Sequence, residues 1–188
     1  MSDKSNIRKV RVGVSSKNND TKQQMYWSQV EYVEDLEEPN SEGLRLLHLA
    51  VRNPEIVKDL LKRGAVVDSR CNQDFTPLFT AVQHGNCESA KLLINAGANP
   101  NVIENKYGNT PLWWALSGKI NYDLVSLLLE NGADPRIVNF SGKSTFWLVE
   151  QGAKRYDGES PNPFEQDLLM LNNAVKNIEK HNIPKSIN

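Results

Sequence analysis

What this chain has little of narrows its function as much as what it contains. Cys71 and Cys87 are its two cysteines in 188 residues, a usage that fits a reducing compartment and free thiols. Histidine is also scarce, with His48, His84 and His181. His84 and Cys87 have the spacing of a ligand pair, but no second pair completes a tetrahedral zinc site, and no glycine-rich phosphate loop is present. No apolar run approaches the ~18 residues that a membrane span needs. The start, Met1-Ser2-Asp3-Lys4, lacks the apolar stretch of a signal peptide. A net charge of −1 is not the basic footprint expected of a nucleic-acid binder. The expectation is a soluble, cytoplasmic protein with no cofactor, no metal, no catalytic residues, and no contact with nucleic acid or membrane.

What is present repeats. Lys62-Arg63-Gly64-Ala65, Asn95-Ala96-Gly97-Ala98-Asn99-Pro100 and Glu130-Asn131-Gly132-Ala133-Asp134-Pro135 each end an apolar, helix-like run. Each glycine is followed 12 or 13 residues on by a new start, and the starts align Arg45, Thr76, Thr110 and Ser144 at steps of 31, 34 and 34 residues. A fixed period in this range marks stacked repeats. Asp74-Phe75-Thr76-Pro77-Leu78-Phe79-Thr80-Ala81 and Gly108-Asn109-Thr110-Pro111-Leu112-Trp113-Trp114-Ala115 resemble the ankyrin repeat, whose signature runs T-P-L-H-x-A. Leu46-Leu47-His48-Leu49-Ala50 keeps the second half of that pattern, and Ser144-Thr145-Phe146-Trp147-Leu148 is a worn fourth copy. The resemblance implies an all-α solenoid of about four helix-turn-helix repeats with projecting β-hairpin loops, the outer repeats degenerate.

The chain divides into a polar N-terminal arm and acidic capping segment (1–40), repeats at 41–69, 70–103, 104–137 and 138–183, and a short tail (184–188). Ile7, Val10, Val12 and Val14 alternate as in a strand, but so short a strand is not stable alone, and the arm is read as disordered or adaptable. Met25 to Glu38 is read as a cap over the open end of the first repeat. Asn40 or Ser41 is expected to cap a helix starting at Glu42, followed by a second helix from Glu55 to Arg63. The next helices are expected at Pro77–His84, Glu88–Ala96, Pro111–Ser117 and Asp123–Asn131, with proline at the first turn and glycine just past the end. Repeat four should run from Ser144 into a polar loop at Lys154–Pro163. A capping helix then carries Phe164, Leu168, Leu171, Val175 and Ile178 on one stripe. The abundance of asparagine fits an AT-rich genome such as that of an intracellular bacterium or a large virus.

The fourth position of each start gives His48, Phe79, Trp113 and Trp147, a column expected to form an internal packing ladder. His48 should bond to backbone or hydroxyl groups, although Arg45 replaces its usual threonine partner. The ankyrin resemblance implies recognition of another protein through a concave face of fingers and first helices. Aromatic and arginine side chains most often dominate such interfaces, which selects Arg70, Phe75, Tyr107, Trp114, Arg136 and Phe140. Cys71 is expected exposed at a finger tip, more than ~10 Å from Cys87 across one helix. The finger between Gly97 and Thr110 is one residue longer than the others, at 13 against 12. The expected role is that of a monomeric adaptor, inhibitor or secreted effector of an intracellular pathogen. The alternative is an enzyme, or enzyme subunit, that uses the repeats for substrate recognition.

Overall fold

Threonine, proline, asparagine and glycine place the helices. The computed structural model describes residues 36–117, 120–155 and 163–182. The readings for the arm, for most of the acidic segment and for much of the polar loop lie outside the described residues. Among the described residues there are eight helices and no strand: α1 (Leu46–Ala50), α2 (Pro54–Lys62), α3 (Pro77–Gln83), α4 (Cys87–Asn95), α5 (Pro111–Ser117), α6 (Tyr122–Glu130), α7 (Thr145–Arg155) and α8 (Pro163–Asn182).

Thr76 accepts from the Phe79 N–H at 3.3 Å and Thr110 from the Trp113 N–H at 3.2 Å. Each thereby satisfies a helix-start donor that has no intrahelical partner. Asparagine does the same for the second helices: Asn53, Asn86 and Asn121 accept from Ile56, Ser89 and Leu124 at 3.4, 2.9 and 3.2 Å. These asparagines therefore have structural work that composition alone does not reveal. At the other end Gly64, Gly97 and Gly132 take φ of 89, 93 and 87°, the left-handed region where a side chain is strained. The N–H groups of the buried Ala65, Ala98 and Ala133 turn back to Leu60, Leu93 and Leu128 carbonyls at 3.0, 3.0 and 2.9 Å.

Two boundaries differ from the sequence reading. No helix starts at Glu42: Asn40 Oδ1 accepts from the Glu42 and Leu44 N–H groups, both at 2.9 Å, and closes a turn instead. The first helix begins only at Leu46, after Arg45. In repeat four, α7 continues through Gly152 to Arg155 instead of giving way to a loop at Lys154.

The helices form two layers, α1, α3, α5 and α7 inside and α2, α4, α6 and α8 outside, each touching its own partner and its neighbours along the array. Leu47, Leu78 and Leu112 from the inner layer and Leu60, Leu93, Leu128 and Leu171 from the outer are all fully buried. Polar bonds join the repeats at one end. The Asp68 carboxylate accepts from the Asn99 N–H at 3.1 Å, and Asn101 both accepts from the Asp134 N–H at 2.8 Å and donates to the Gly132 carbonyl at 2.9 Å.

His48 keeps its bonds despite Arg45. Its Nδ1 accepts from the Arg45 N–H at 3.2 Å and its Nε2 donates across to the Phe75 carbonyl of the next repeat at 2.9 Å, a pair of roles that only the neutral ring fills. Arg45 itself reaches the Gly43 and Arg70 carbonyls and pairs with Glu37 at 3.2 Å. The aromatic column is a ladder only at its far end. Trp113 and Trp147 stack at 6.4 Å, whereas Phe79 stacks on Phe75 at 4.6 Å.

Two outcomes follow from the core. Leu93→Ala should cost ~2–5 kcal/mol in urea melts, since its site is fully buried; a loss under ~0.5 kcal/mol would contradict that placement. Burial, aided by the Arg45 charge, lowers the His48 pKa against the pull of its backbone bonds. Its stabilising contribution is therefore present above the ordinary value of ~6.5 and lost as pH falls through the depressed folded value. His48→Ala should abolish that slope and cost ~1–3 kcal/mol at pH 7.5 by taking the acceptor from the Arg45 N–H and leaving the Phe75 carbonyl with the Cys71 N–H alone.

Candidate binding face

Four finger tips share one closure. The N–H groups of Asn40, Cys71, Glu104 and Asn139 donate to the carbonyls of Leu44, Phe75, Asn109 and Lys143 at 3.0, 3.1, 3.2 and 3.0 Å. The third tip, Glu104 to Asn109, holds the extra residue seen in the sequence. Where the tip is short, asparagine fills it: Asn139 Oδ1 accepts from Ser141 and Lys143 at 3.0 and 3.1 Å, as Asn40 does in the first finger. Across the longer tip stands glutamate, whose extra methylene reaches the N–H groups of Lys106, Tyr107 and Asn109 at 2.6, 3.0 and 3.0 Å. Glu104 is 2% exposed, and bonds to an ionised acceptor are stronger than neutral ones. Sequence reasoning did not single out Glu104, whose role as internal brace appears only in the folded tip.

Cys71 occupies the same place with no capping oxygen. Its side chain is buried, which overturns the expectation of an exposed thiol, and both cysteines are free. In this finger Asp74 adopts φ of 59°, where the other three have Gly43, Gly108 and Gly142 at 74, 72 and 70°. Its pairing with Arg70 at 3.9 Å is between half-exposed side chains and adds little.

Each finger hangs on the one before. Asn72, Asn105 and Phe140 donate their N–H groups to the Glu42, Gln73 and Tyr107 carbonyls at 3.1, 3.2 and 2.9 Å. Asn105 adds a side-chain bond to the Asn72 carbonyl at 3.0 Å. This lateral order, together with α5, shapes an open groove of about 570 Å³ lined by Gln73, Phe75, Glu104, Asn105, Lys106, Tyr107 and Trp114.

Three of the six selected residues meet in that groove. Phe75 lies on the buried Phe79, and Trp114 meets Phe79 edge-on at 6.0 Å. Tyr107 is 52% exposed, with the Lys106 ammonium 4.7 Å from its ring centre. Phe140 stands beside them, 64% exposed, its ring over Gly108, where an added Cβ would come within 2.6 Å. The two arginines do not line the groove. Arg70 is exposed on the neighbouring tip. Arg136 is held by Asp134 through two bonds of 2.9 Å and by Glu179 of α8 at 3.4 Å, and this pairing keeps the Asp134 carboxyl below its usual range. Arg136 thus belongs with the outer layer. His84 hydrogen-bonds the Thr80 carbonyl through Nδ1 at 2.8 Å, so its ring completes its own helix.

Repeated helix pairs, capped fingers and an aromatic groove define a repeat solenoid. The chain belongs to the ankyrin repeat family: the family model described as three copies of the ankyrin repeat matches residues 14–104 and 47–139. It is similar to an ankyrin repeat-containing protein of Treponema pallidum (strain Nichols), 37% identical over 108 residues that cover 56% of this chain and 36% of that protein. Human ankyrin repeat and SOCS box protein 3 is 43% identical over 105 residues, 54% of this chain and 20% of that one. E3 ubiquitin-protein ligase KEG of Arabidopsis thaliana is 37% identical over 101 residues, 53% of this chain and 6% of that one. The shared stretch thus spans little more than a third, or less, of each of these relatives. Ankyrin repeats are protein-interaction modules, and no helix among the described residues is long and apolar enough to cross a membrane.

The finger comparison makes Asp74 a point of stored strain. Asp74→Gly should raise stability by ~0.5–1 kcal/mol in urea melts by relieving the positive φ. A destabilised variant would show that the carboxylate, not the backbone, holds that finger.

Proposed function

We propose that this chain binds another protein through the face made by its finger tips and inner helices, as a monomeric adaptor, inhibitor or secreted effector working in the cytoplasm. One observation carries the reading. Tyr107 and Trp114 stand 52 and 37% exposed in one groove with Phe140, 64% exposed, beside it, while the backbone of the Tyr107 tip is braced by Glu104. Exposed aromatics on a prebuilt scaffold bind without first paying for the ordering of loops. Phe75 forms the groove floor, Arg70 contributes from the adjacent tip, and Arg136 is the weakest of the six candidates because Asp134 and Glu179 occupy it. The domain limits at 41 and 183 belong to the same proposal. The enzyme-linked alternative rests on a relative named as a ubiquitin ligase, of which the shared repeats make up 6%. In that case the repeats would select a substrate for chemistry done elsewhere.

Affinity capture and mass spectrometry identify the partner, and calorimetry then tests the face. Tyr107→Ala with Phe140→Ala should weaken binding by ~2 kcal/mol or more with the melting temperature nearly unchanged, and Lys91→Ala on α4 should be close to neutral. Unchanged binding in the aromatic variant, with loss on deletion of residues 1–24, would assign recognition to the N-terminal arm.

A further inference from the structure

The least balanced polar group in the described array is on its last helix. Asp167, in the first turns of α8, is 2% exposed, and its carboxyl has no partner among the described residues beyond a loose contact with the Tyr122 phenol. The other unpartnered buried side-chain atoms are the hydroxyls of Ser69 and Ser89, which carry no charge. Among the described residues, the side chains that line the 190 Å³ cavity with Asp167 are non-ionisable: Leu116 and Ile120 on one side, and Trp147, Leu148, Val149 and Gln151 of α7 on the other. From α6 the one ionisable neighbour is the Tyr122 phenol. Asp123 on α6 and Glu165 on α8 are exposed, and none of the ion pairs among the described residues includes Asp167. Both carboxyl oxygens are out of solvent contact, so a ligand entering the cavity meets apolar walls and not the charge.

An ionised carboxylate buried without a partner is far costlier than a neutral carboxyl, which can share one hydrogen with a phenol oxygen. Beyond this point α8 is well anchored, with Leu171 fully buried and Ala174 at 6% exposure. The strain therefore falls on the first turns alone. We propose that α8 is a pH-gated cap: its N-terminal turns dock on α6 and α7 while Asp167 carries its proton, and they loosen when the carboxyl ionises. Loosening returns the carboxylate to water and opens the cavity wall at Trp147.

Burial raises the Asp167 pKa, and the phenol offsets only part of this. The contribution of the protonated group is therefore full below the ordinary carboxylate value of ~3.9 and is lost as pH rises through the raised one. This slope is opposite in sign to that of His48, which sits at the far end of the array, so a local readout separates the two.

The test is carboxyl NMR titration of the full chain, with amide exchange across residues 163–182 at one pH below and one above the Asp167 midpoint so found. The Asp167 carboxyl should titrate above ~3.9, and protection of the first turns, corrected for intrinsic exchange rates, should fall ~10-fold or more between the two conditions. Asp167→Asn should hold protection constant across that range. Tyr122→Phe, which leaves the burial in place, should keep the titration above the ordinary value and so decides the matter if the first variant folds poorly. A carboxyl that titrates at or below the ordinary value, or an Asp167→Asn variant loosened at both pH values, would overturn the proposal.

Discussion

A single pair of short helices has two apolar faces and no interior, so each repeat has to be covered by its neighbours. Leu47, Leu78 and Leu112 meet that demand along the inner layer, and Leu60, Leu93 and Leu128 along the outer. Most of the remaining architecture follows from keeping these columns in register. The same residue types recur at the same places because every repeat solves the same problem against a nearly identical neighbour. Where the pattern is worn, as with Arg45 in a threonine position, other atoms take over: His48 Nδ1 bonds the Arg45 backbone, and its Nε2 reaches the next repeat.

Much of what acts on its own backbone was legible in the sequence. Thr76, Pro77, Gly97 and Ala98 fix helix ends within a few residues of themselves, and such signals were enough to place α2 through α6 to within a residue. Asn40 shows where local reading becomes ambiguous: an asparagine oxygen accepting N–H groups two and four residues on makes a turn with the same chemistry as a helix cap. The asparagines at 53, 86 and 121 were absorbed into composition because a cap and a compositional bias look alike until the register is known.

The candidate face was half legible for a related reason. Aromatics at finger tips announce themselves by type and spacing, and Phe75, Tyr107, Trp114 and Phe140 do lie together. Partners distant in sequence hid the rest. Arg136 is drawn to Glu179, 43 residues away, and Cys71 is buried because its side chain turns inward where other fingers place a capping oxygen. Glu104 was the hardest to foresee, since its role exists only once a tip with one added residue has closed around it.

Prior order is therefore the property on which the functional reading depends: the aromatic face is held by Glu104 and by the lateral finger bonds before any partner arrives. Amide hydrogen exchange of the free protein at Lys106 and Tyr107 tests this most directly, because these N–H groups belong to exposed residues yet point at a buried carboxylate. The account predicts exchange ~10²-fold or more slower than in an unstructured chain. Exchange at unstructured rates would mean that the tip is open in solution and that the face forms only on binding.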